Sequence, residues 1–97
     1  MKRWSMQGKN SKRNKIWLRT VGADEKILKE KIYEYTGETL PCFVENLREV
    51  CIELDEPTPV VLKTHFNSFK QFNIVRFVPR DFVESVYFEK MILEYIK

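Results

Sequence analysis

The sequence predicts a single α+β domain, and three observations lead to this class. Its 97 residues allow one domain of ordinary size. With 43% hydrophobic and 13% aromatic residues the chain can bury a core, so wholesale disorder is not expected. Segments with helical spacing of apolar residues lie between segments rich in β-branched and aromatic residues, which predicts helices together with a sheet.

The first half of the chain predicts one short strand and two helices. Residues 16–21 alternate loosely between two sides, as expected of a strand. Residues 24–35 place apolar residues on one helical face and Glu–Lys pairs four residues apart on the other, which favours a helix. Residues 41–53 show the clearest amphipathic pattern, because their apolar side chains fill one third of the helical wheel opposite Glu45, Glu49 and Glu53.

The second half predicts an antiparallel hairpin and a final helix. Residues 60–66 and 72–78 are rich in β-branched and aromatic side chains, and turn-forming residues separate them. Asp81 is a suitable N-cap for a helix over residues 82–96. The predicted order is therefore β-α-α-β-β-α, with the hairpin packed against the helices. Nothing periodic organises residues 1–15, so we expect a flexible basic arm there and a single domain over 16–97.

The net charge of +3 hides a clear segregation of charges along the chain. Residues 1–23 contain seven Lys and Arg and no acid, and residues 57–80 contain four and no acid. The intervening residues 24–56 carry a net charge of −6, and residues 81–97 carry −2. Blocks of like charge are typical of interaction surfaces.

The two acid-free blocks lead to the hypothesis of nucleic-acid binding through the arm and the hairpin. Cations would be attracted to phosphates, and a tryptophan in the arm could stack on bases. Aromatic residues alternate with the cations of the second block, as on surfaces that bind single strands. The candidate residues are Lys2, Arg3, Trp4, Lys9, Lys12, Arg13, Lys15, Lys63, Lys70, Arg76 and Arg80.

The predicted last helix suggests a homodimer, because a helix that is apolar all round is normally buried all round. The candidate interface residues share one arc of this helix: Val83, Tyr87, Phe88, Met91 and Tyr95. An alternative function is a protein–protein interaction or assembly module without a nucleic-acid role. In that alternative the basic arm docks on the glutamates of the second predicted helix.

The sequence predicts a binding protein rather than an enzyme, with no cofactor and no metal site. Cys42 and His65 could form a thiol–imidazole pair, but no catalytic signature surrounds either residue. The two cysteines and one histidine lack the spacing of a zinc site. Cys42 and Cys51 lie nine residues apart on one predicted helix and cannot bridge, which favours a reducing cytoplasmic setting. No apolar stretch approaches the length of a membrane span, so no membrane partner is expected.

Overall fold

A four-stranded antiparallel sheet with two helices forms the structure of residues 13–36 and 42–96, which a computed structural model describes. The strands are β1 (Arg13–Val21), β2 (Ile27–Thr36), β3 (Ile74–Phe77) and β4 (Lys90–Ile96). The helices are α1 (Phe43–Leu54) and α2 (Lys63–Phe72), and a 3-10 turn spans Pro79–Asp81. The predicted α+β class is confirmed, and the predicted order of elements is roughly consistent with the observed one.

The strands lie in the order β2-β1-β4-β3, and every neighbouring pair is antiparallel. Strands β1 and β4 are therefore central, and β2 and β3 form the two edges. In the middle of the sheet, Leu18 lies opposite Lys31 on one side and Leu93 on the other, and Leu93 also lies opposite Val75.

The core lies on one face of the sheet only. Side chains alternate between the faces of a strand, and the sheet residues of the core cluster share one face: Ile16, Leu18, Val75, Phe77, Met91 and Leu93. These residues form one cluster with the buried side chains of α1 and α2. Helix α1 lies against β2, and α2 lies against β3. Within residues 13–36 and 42–96, no helix covers the opposite face of the sheet.

Helix α1 confirms the strongest amphipathic pattern of the sequence. It buries Phe43, Leu47, Val50 and Cys51, which are four of the six apolar residues of the predicted face. The other two are Val44, which is exposed, and Leu54, which is half-buried. The helix ends at Asp55, whose φ of 61° is left-handed and whose N–H bonds back to the carbonyl of Ile52. Neither helix of the described residues has the length and hydropathy of a membrane span.

The helix predicted over residues 24–35 is wrong, because residues 27–36 form strand β2. Its Glu–Lys pairs satisfy a helical spacing, but the segment also alternates with a period of two. Tyr33 and Tyr35 pack against the core, while Glu30, Ile32 and Glu34 lie on the other face and are exposed. Pairing with β1 along nine residues outweighs the local helical propensity.

The strand predicted over residues 60–66 is also wrong, since α2 begins at Lys63 and runs through the predicted turn. The strand predicted over residues 72–78 is confirmed as β3. Its antiparallel partner is β4 rather than residues 60–66.

The final helix predicted over residues 82–96 is wrong as well. Residues 90–96 form the central strand β4, and the irregular segment before it brings the rings of Phe82 and Phe88 edge to face at 5.3 Å. Asp81 caps no helix there, because its carboxylate accepts a hydrogen bond from the Val78 N–H at 2.8 Å. Apolar residues are frequent in residues 90–96 because this segment is a central strand, with a neighbouring strand on each side.

The predicted flexible arm lies mostly outside the described residues, which begin at Arg13. The last three residues assigned to it, 13–15, are the first residues of β1. The strand therefore begins three residues before the predicted boundary.

Candidate functional site

The uncovered face of the sheet, which we call the open face, combines apolar and charged side chains. In β1 it consists of Arg13, Lys15, Trp17 and Arg19, which alternate with the core residues. Ile32 lies opposite Trp17 on β2, and Ile92 lies opposite Arg19 on β4. Arg76 of the edge strand β3 lies opposite Ile92. The open face therefore extends across all four strands.

Trp17 and Arg19 form the centre of the open face. The guanidinium carbon of Arg19 lies 3.9 Å from the centroid of the Trp17 ring, a cation–π contact. The indole Nε1 of Trp17 donates a hydrogen bond to Glu30 Oε1 at 3.0 Å. Arg19 Nη1 lies 3.2 Å from Glu94 Oε1, and the Arg19 side chain is only 14% exposed. These contacts fix the positions of both side chains.

The open face carries more cations than carboxylates: Arg13, Lys15, Arg19, Arg76 and Lys90 lie on it together with Glu30, Glu34 and Glu94. Each of its carboxylates is engaged, since Glu30 accepts from Trp17, Glu94 pairs with Arg19, and Glu34 pairs with Arg13 at 2.6 Å. Lys15 and Arg76 are exposed, and neither forms an ion pair with any residue in the described ranges. A polyanion approaching this face would therefore meet cations that carry no internal counterion.

A groove of about 470 Å³ adjoins the open face at the edge strand β3. Thr64, His65 and Ser68 of α2 form one wall, and the other residues around it are Ile74, Val75, Arg76, Lys90 and Ile92. The hydroxyl of Ser68 donates to the carbonyl of Ile74 at 2.8 Å. Lys90 is paired with the exposed Glu25 at 3.0 Å. Arg76, Lys90 and Ile92 thus belong to both the groove and the open face.

His65 has a structural role beside this groove. Its Nδ1 accepts a hydrogen bond from the Leu62 N–H at 2.9 Å, at the start of α2. Its Nε2 lies 3.3 Å from Asp81 Oδ2, and its ring packs on Phe77 at 4.6 Å. Both ring nitrogens are therefore occupied, which leaves neither one free to accept a proton from a substrate.

The cysteines do not approach His65. Cys42 is exposed just before α1, Cys51 is buried within it, and both thiols are free. Burial raises the pKa of Cys51 to about 12, so its thiol stays protonated at neutral pH. No interaction joins His65 to Cys42 or Cys51, all three of which lie in the described ranges. The sequence suggested this pair only by residue type.

The predicted nucleic-acid residues are divided among several places. Arg13, Lys15 and Arg76 lie on the open face, whereas Lys63 and Lys70 lie seven residues apart on the exposed side of α2. Arg80 lies in the 3-10 turn. The remaining candidates lie outside the described residues: Lys2, Arg3, Trp4, Lys9 and Lys12.

The residues of the predicted dimer interface do not share one surface. Phe88 and Met91 are fully buried in the core, so they are not accessible to a partner. Val83 is 93% exposed and Tyr87 is 62% exposed. The hydroxyl of Tyr95, which is half-buried, donates to Asn14 Oδ1 at 2.7 Å. The doubly apolar helix on which the interface was predicted does not exist.

Sequence reasoning missed a polar cluster at the end of α1. The side chain of Glu56 is 3% exposed and lies 3.1 Å from Lys29 Nζ. The hydroxyl of Tyr87 donates a hydrogen bond to the same carboxylate. The hydrogen bond to Glu56 raises the pKa of Lys29, and burial raises the pKa of Tyr87. No local pattern links these residues, because they meet only through the pairing of β1 with β2 and β4.

No group of three or more His, Cys, Asp or Glu side chains in the described ranges is arranged to hold a metal ion. No family model matches the chain, and neither a similar curated protein nor a similar solved structure was found.

Proposed function

We propose that the protein is a non-enzymatic binding protein that takes single-stranded nucleic acid on the open face. One observation carries the proposal: a sheet face that no described helix covers has Trp17 at its centre and more cations than carboxylates, with Lys15 and Arg76 free of ion pairs within the described ranges. A sheet face of this kind offers stacking surfaces for bases and positive charge for the phosphates.

The apolar part of the face supports contact with bases rather than with a duplex backbone alone. Trp17 is half-buried and held in place by Arg19, so little conformational freedom is lost when a base stacks on it. Ile32, which is 53% exposed, lies directly opposite on β2. Stacking on an aromatic ring contributes about 1–3 kcal/mol per base and tolerates any base, so we expect little sequence preference.

The cations supply the salt-dependent part of the affinity. Lys15 and Arg76 lie at different parts of the same face. The sequence adds Lys2, Arg3, Lys9 and Lys12 directly before β1, and no acid stands among residues 1–23. We infer that this segment contacts phosphates next to the strand that it precedes.

Fluorescence anisotropy with a labelled oligothymidylate of about 12 nucleotides tests the proposal. Binding should weaken steeply with salt, with a log–log slope of about −0.7 for each phosphate contact on a single strand. Arg76→Ala should lower the affinity and reduce this slope by close to one contact. Arg48→Ala removes an exposed cation of α1 that forms no ion pair within residues 13–36 and 42–96 and is the matched control. Equal effects of the two variants, or no binding at low salt, would contradict the proposal.

A second candidate function, self-association as an assembly module, is supported by an apolar cluster away from the open face. Val60, Leu62 and Val83 are all exposed, and with Phe82 they line a depression of about 240 Å³. Sedimentation equilibrium at tens of micromolar would detect a homodimer. Val83→Asp should then return the protein to the monomer mass, and a monomeric wild type would exclude this function.

The proposed setting is the cytoplasm. Two free thiols within one short helical segment, one of them exposed, support a reducing compartment.

A further inference from the structure

We propose that the edge strand β3 accepts an extended acidic peptide as an added strand, seated in the groove between β3 and α2. This interaction does not depend on nucleic-acid binding, although the Arg76 side chain takes part in both. The edge of a sheet presents unpaired backbone groups, and addition of a partner strand is a recurring mode of peptide recognition.

The hydrogen-bond pattern of the sheet shows which backbone groups β3 leaves free. The N–H of Tyr95 bonds to the carbonyl of Asn73 at 2.8 Å, and this pair continues the β3–β4 register one position beyond Ile74 and Glu94. Directly opposite pairs alternate between bonded and non-bonded in antiparallel strands. Val75 and Phe77 therefore bond to β4, whereas the N–H and C=O groups of Ile74 and Arg76 point away from the sheet.

Only one of these outward groups is already occupied. The hydroxyl of Ser68 donates to the Ile74 carbonyl at 2.8 Å, on the side where the groove lies. No group in residues 13–36 and 42–96 bonds to the outward N–H or C=O of Arg76. The N–H and the C=O of Arg76 thus remain available to a peptide strand. Ser68 can rotate away from the Ile74 carbonyl and free that group as well.

The charge of the groove selects an acidic occupant. Its charged side chains are Arg76, which forms no ion pair within the described ranges, and Lys90, which is paired with Glu25. None of the lining residues is acidic. In an added strand, the residue opposite Arg76 points to the same face of the sheet, so a carboxylate there would pair with the guanidinium. The next residue would face Thr64 and Ser68 of α2.

The same observations disfavour two other occupants. A second copy pairing through its own β3 would bring Arg76, Lys63 and Lys70 of each molecule towards those of the other, without an acid in residues 57–80 to offset them. A nucleic acid offers phosphate acceptors for the outward N–H groups, but it has no regular row of donors for the Arg76 carbonyl.

Titration with a capped peptide of about seven residues that alternates valine and glutamate tests the inference. The amide resonances of Ile74 and Arg76 should shift and saturate, and the corresponding amides should become protected from hydrogen exchange. The matched control is the same peptide with N-methyl groups on the residues that would bond to β3, which should not bind. A second control replaces glutamate with lysine and should also fail to bind.

Three variants of the full chain separate the parts of the inference. Arg76→Gln removes the charge but keeps the N–H and should weaken binding about threefold, as for an exposed ion pair. Arg76→Pro also removes the outward N–H, at an edge position where the sheet tolerates proline, and should weaken binding about tenfold or more. Ser68→Ala frees the Ile74 carbonyl and should tighten binding. Far-UV circular dichroism checks that each variant is folded.

Absence of shifts at Ile74 and Arg76, or equal binding of the N-methylated peptide, would overturn the inference. Displacement of the peptide from these two amides by oligothymidylate, with no effect of the Ser68→Ala variant, would assign the groove to nucleic acid and also overturn it. Trp17→Ala should leave peptide binding unchanged, because Trp17 does not line the groove. The Trp17→Ala variant thus distinguishes the two proposals, because it should weaken nucleic-acid binding and leave peptide binding unchanged.

Discussion

The guanidinium of Arg19 lies 3.9 Å from the Trp17 ring, on a sheet face that no described helix covers. The two residues are two positions apart on the central strand β1, so their side chains lie next to each other on the same face. The Arg19 side chain is only 14% exposed although it faces away from the core. This pair makes the open face a preformed surface rather than a loose array of side chains.

Arg19→Ala should lower the free energy of unfolding by about 1–3 kcal/mol, because it removes packing on Trp17 and leaves Glu94 without its partner. Lys15→Ala, on the same strand and face but exposed and unpaired, should change it by less than about 0.5 kcal/mol. Urea denaturation of both variants measures the difference. If Lys15→Ala costs as much as Arg19→Ala, the Arg19–Trp17 contact does not organise this face.

Glu56→Gln should destabilise the fold, since the carboxylate is almost fully buried between Lys29 and Tyr87. Replacing it with a neutral amide should cost about 1–3 kcal/mol, because the hydrogen bonds to a charged group are lost. Glu53→Gln is the control, as its pair with Lys31 is exposed and 3.5 Å long, and should cost less than about 1 kcal/mol. Thermal unfolding at neutral pH compares the two, and equal melting temperatures would refute a stabilising role for the buried cluster.

Stability should decrease at alkaline pH, and Cys51 should account for part of the decrease. Burial raises the pKa of Cys51 from 9.0 to about 12, so the folded state holds the thiol proton more tightly than the unfolded chain does. The contribution is complete below pH 9 and is lost as the pH rises towards 12, at about 1.4 kcal/mol per pH unit. Lys29, Tyr33 and Tyr87 have raised pKa values and act in the same direction.

Urea denaturation between pH 8 and 11 tests the role of Cys51 through a difference between variants. Cys51→Ala should be less stable than wild type at pH 8 and should lose stability less steeply above pH 9. Cys42→Ala changes an exposed thiol and should follow the wild-type profile. Parallel profiles for all three proteins would show that the Cys51 thiol does not contribute.

His65→Ala should cost about 1–3 kcal/mol, because it leaves the Leu62 N–H without a partner and removes the contacts of His65 with Asp81 and Phe77. Thr64→Ala, at the exposed neighbouring position, should cost less than about 0.5 kcal/mol. Chemical denaturation at neutral pH distinguishes the two variants. A near-neutral His65→Ala would reopen the question of a chemical role for this histidine.

The sequence predicts helix α1 and strands β1 and β3 well because the residue pattern of each fits only one type of secondary structure. In α1, a wide apolar stripe opposite three glutamates cannot be buried as a strand. Residues 27–36 are different, since Glu and Lys recur both at helical spacing and at a period of two. Only pairing with β1 decides between a helix and a strand for these residues. The strand β1 was predicted over residues 16–21, which is too short to account for the nine residue pairs that it forms with β2.

The final segment shows the same ambiguity for apolar residues. A helix that is apolar all round and a central strand with two half-buried faces have similar amino-acid compositions. The segment becomes a strand because it pairs with β1, which is distant in the sequence. The dimer interface was predicted from this helix, which is why Phe88 and Met91 appeared available while they are core residues. Charge segregation led to the prediction that Lys15 and Arg76 contact nucleic acid, but it could not show that they lie on one sheet face.

Trp17 fluorescence in a Trp4→Phe variant tests the account most directly, because Trp17 is then the single tryptophan of the chain. Addition of oligothymidylate should quench Trp17 emission in a saturable, salt-sensitive way, and Arg76→Ala in this background should shift the curve to higher concentrations. If anisotropy detects binding while Trp17 emission stays constant, the nucleic acid does not occupy the open face and the central claim is contradicted.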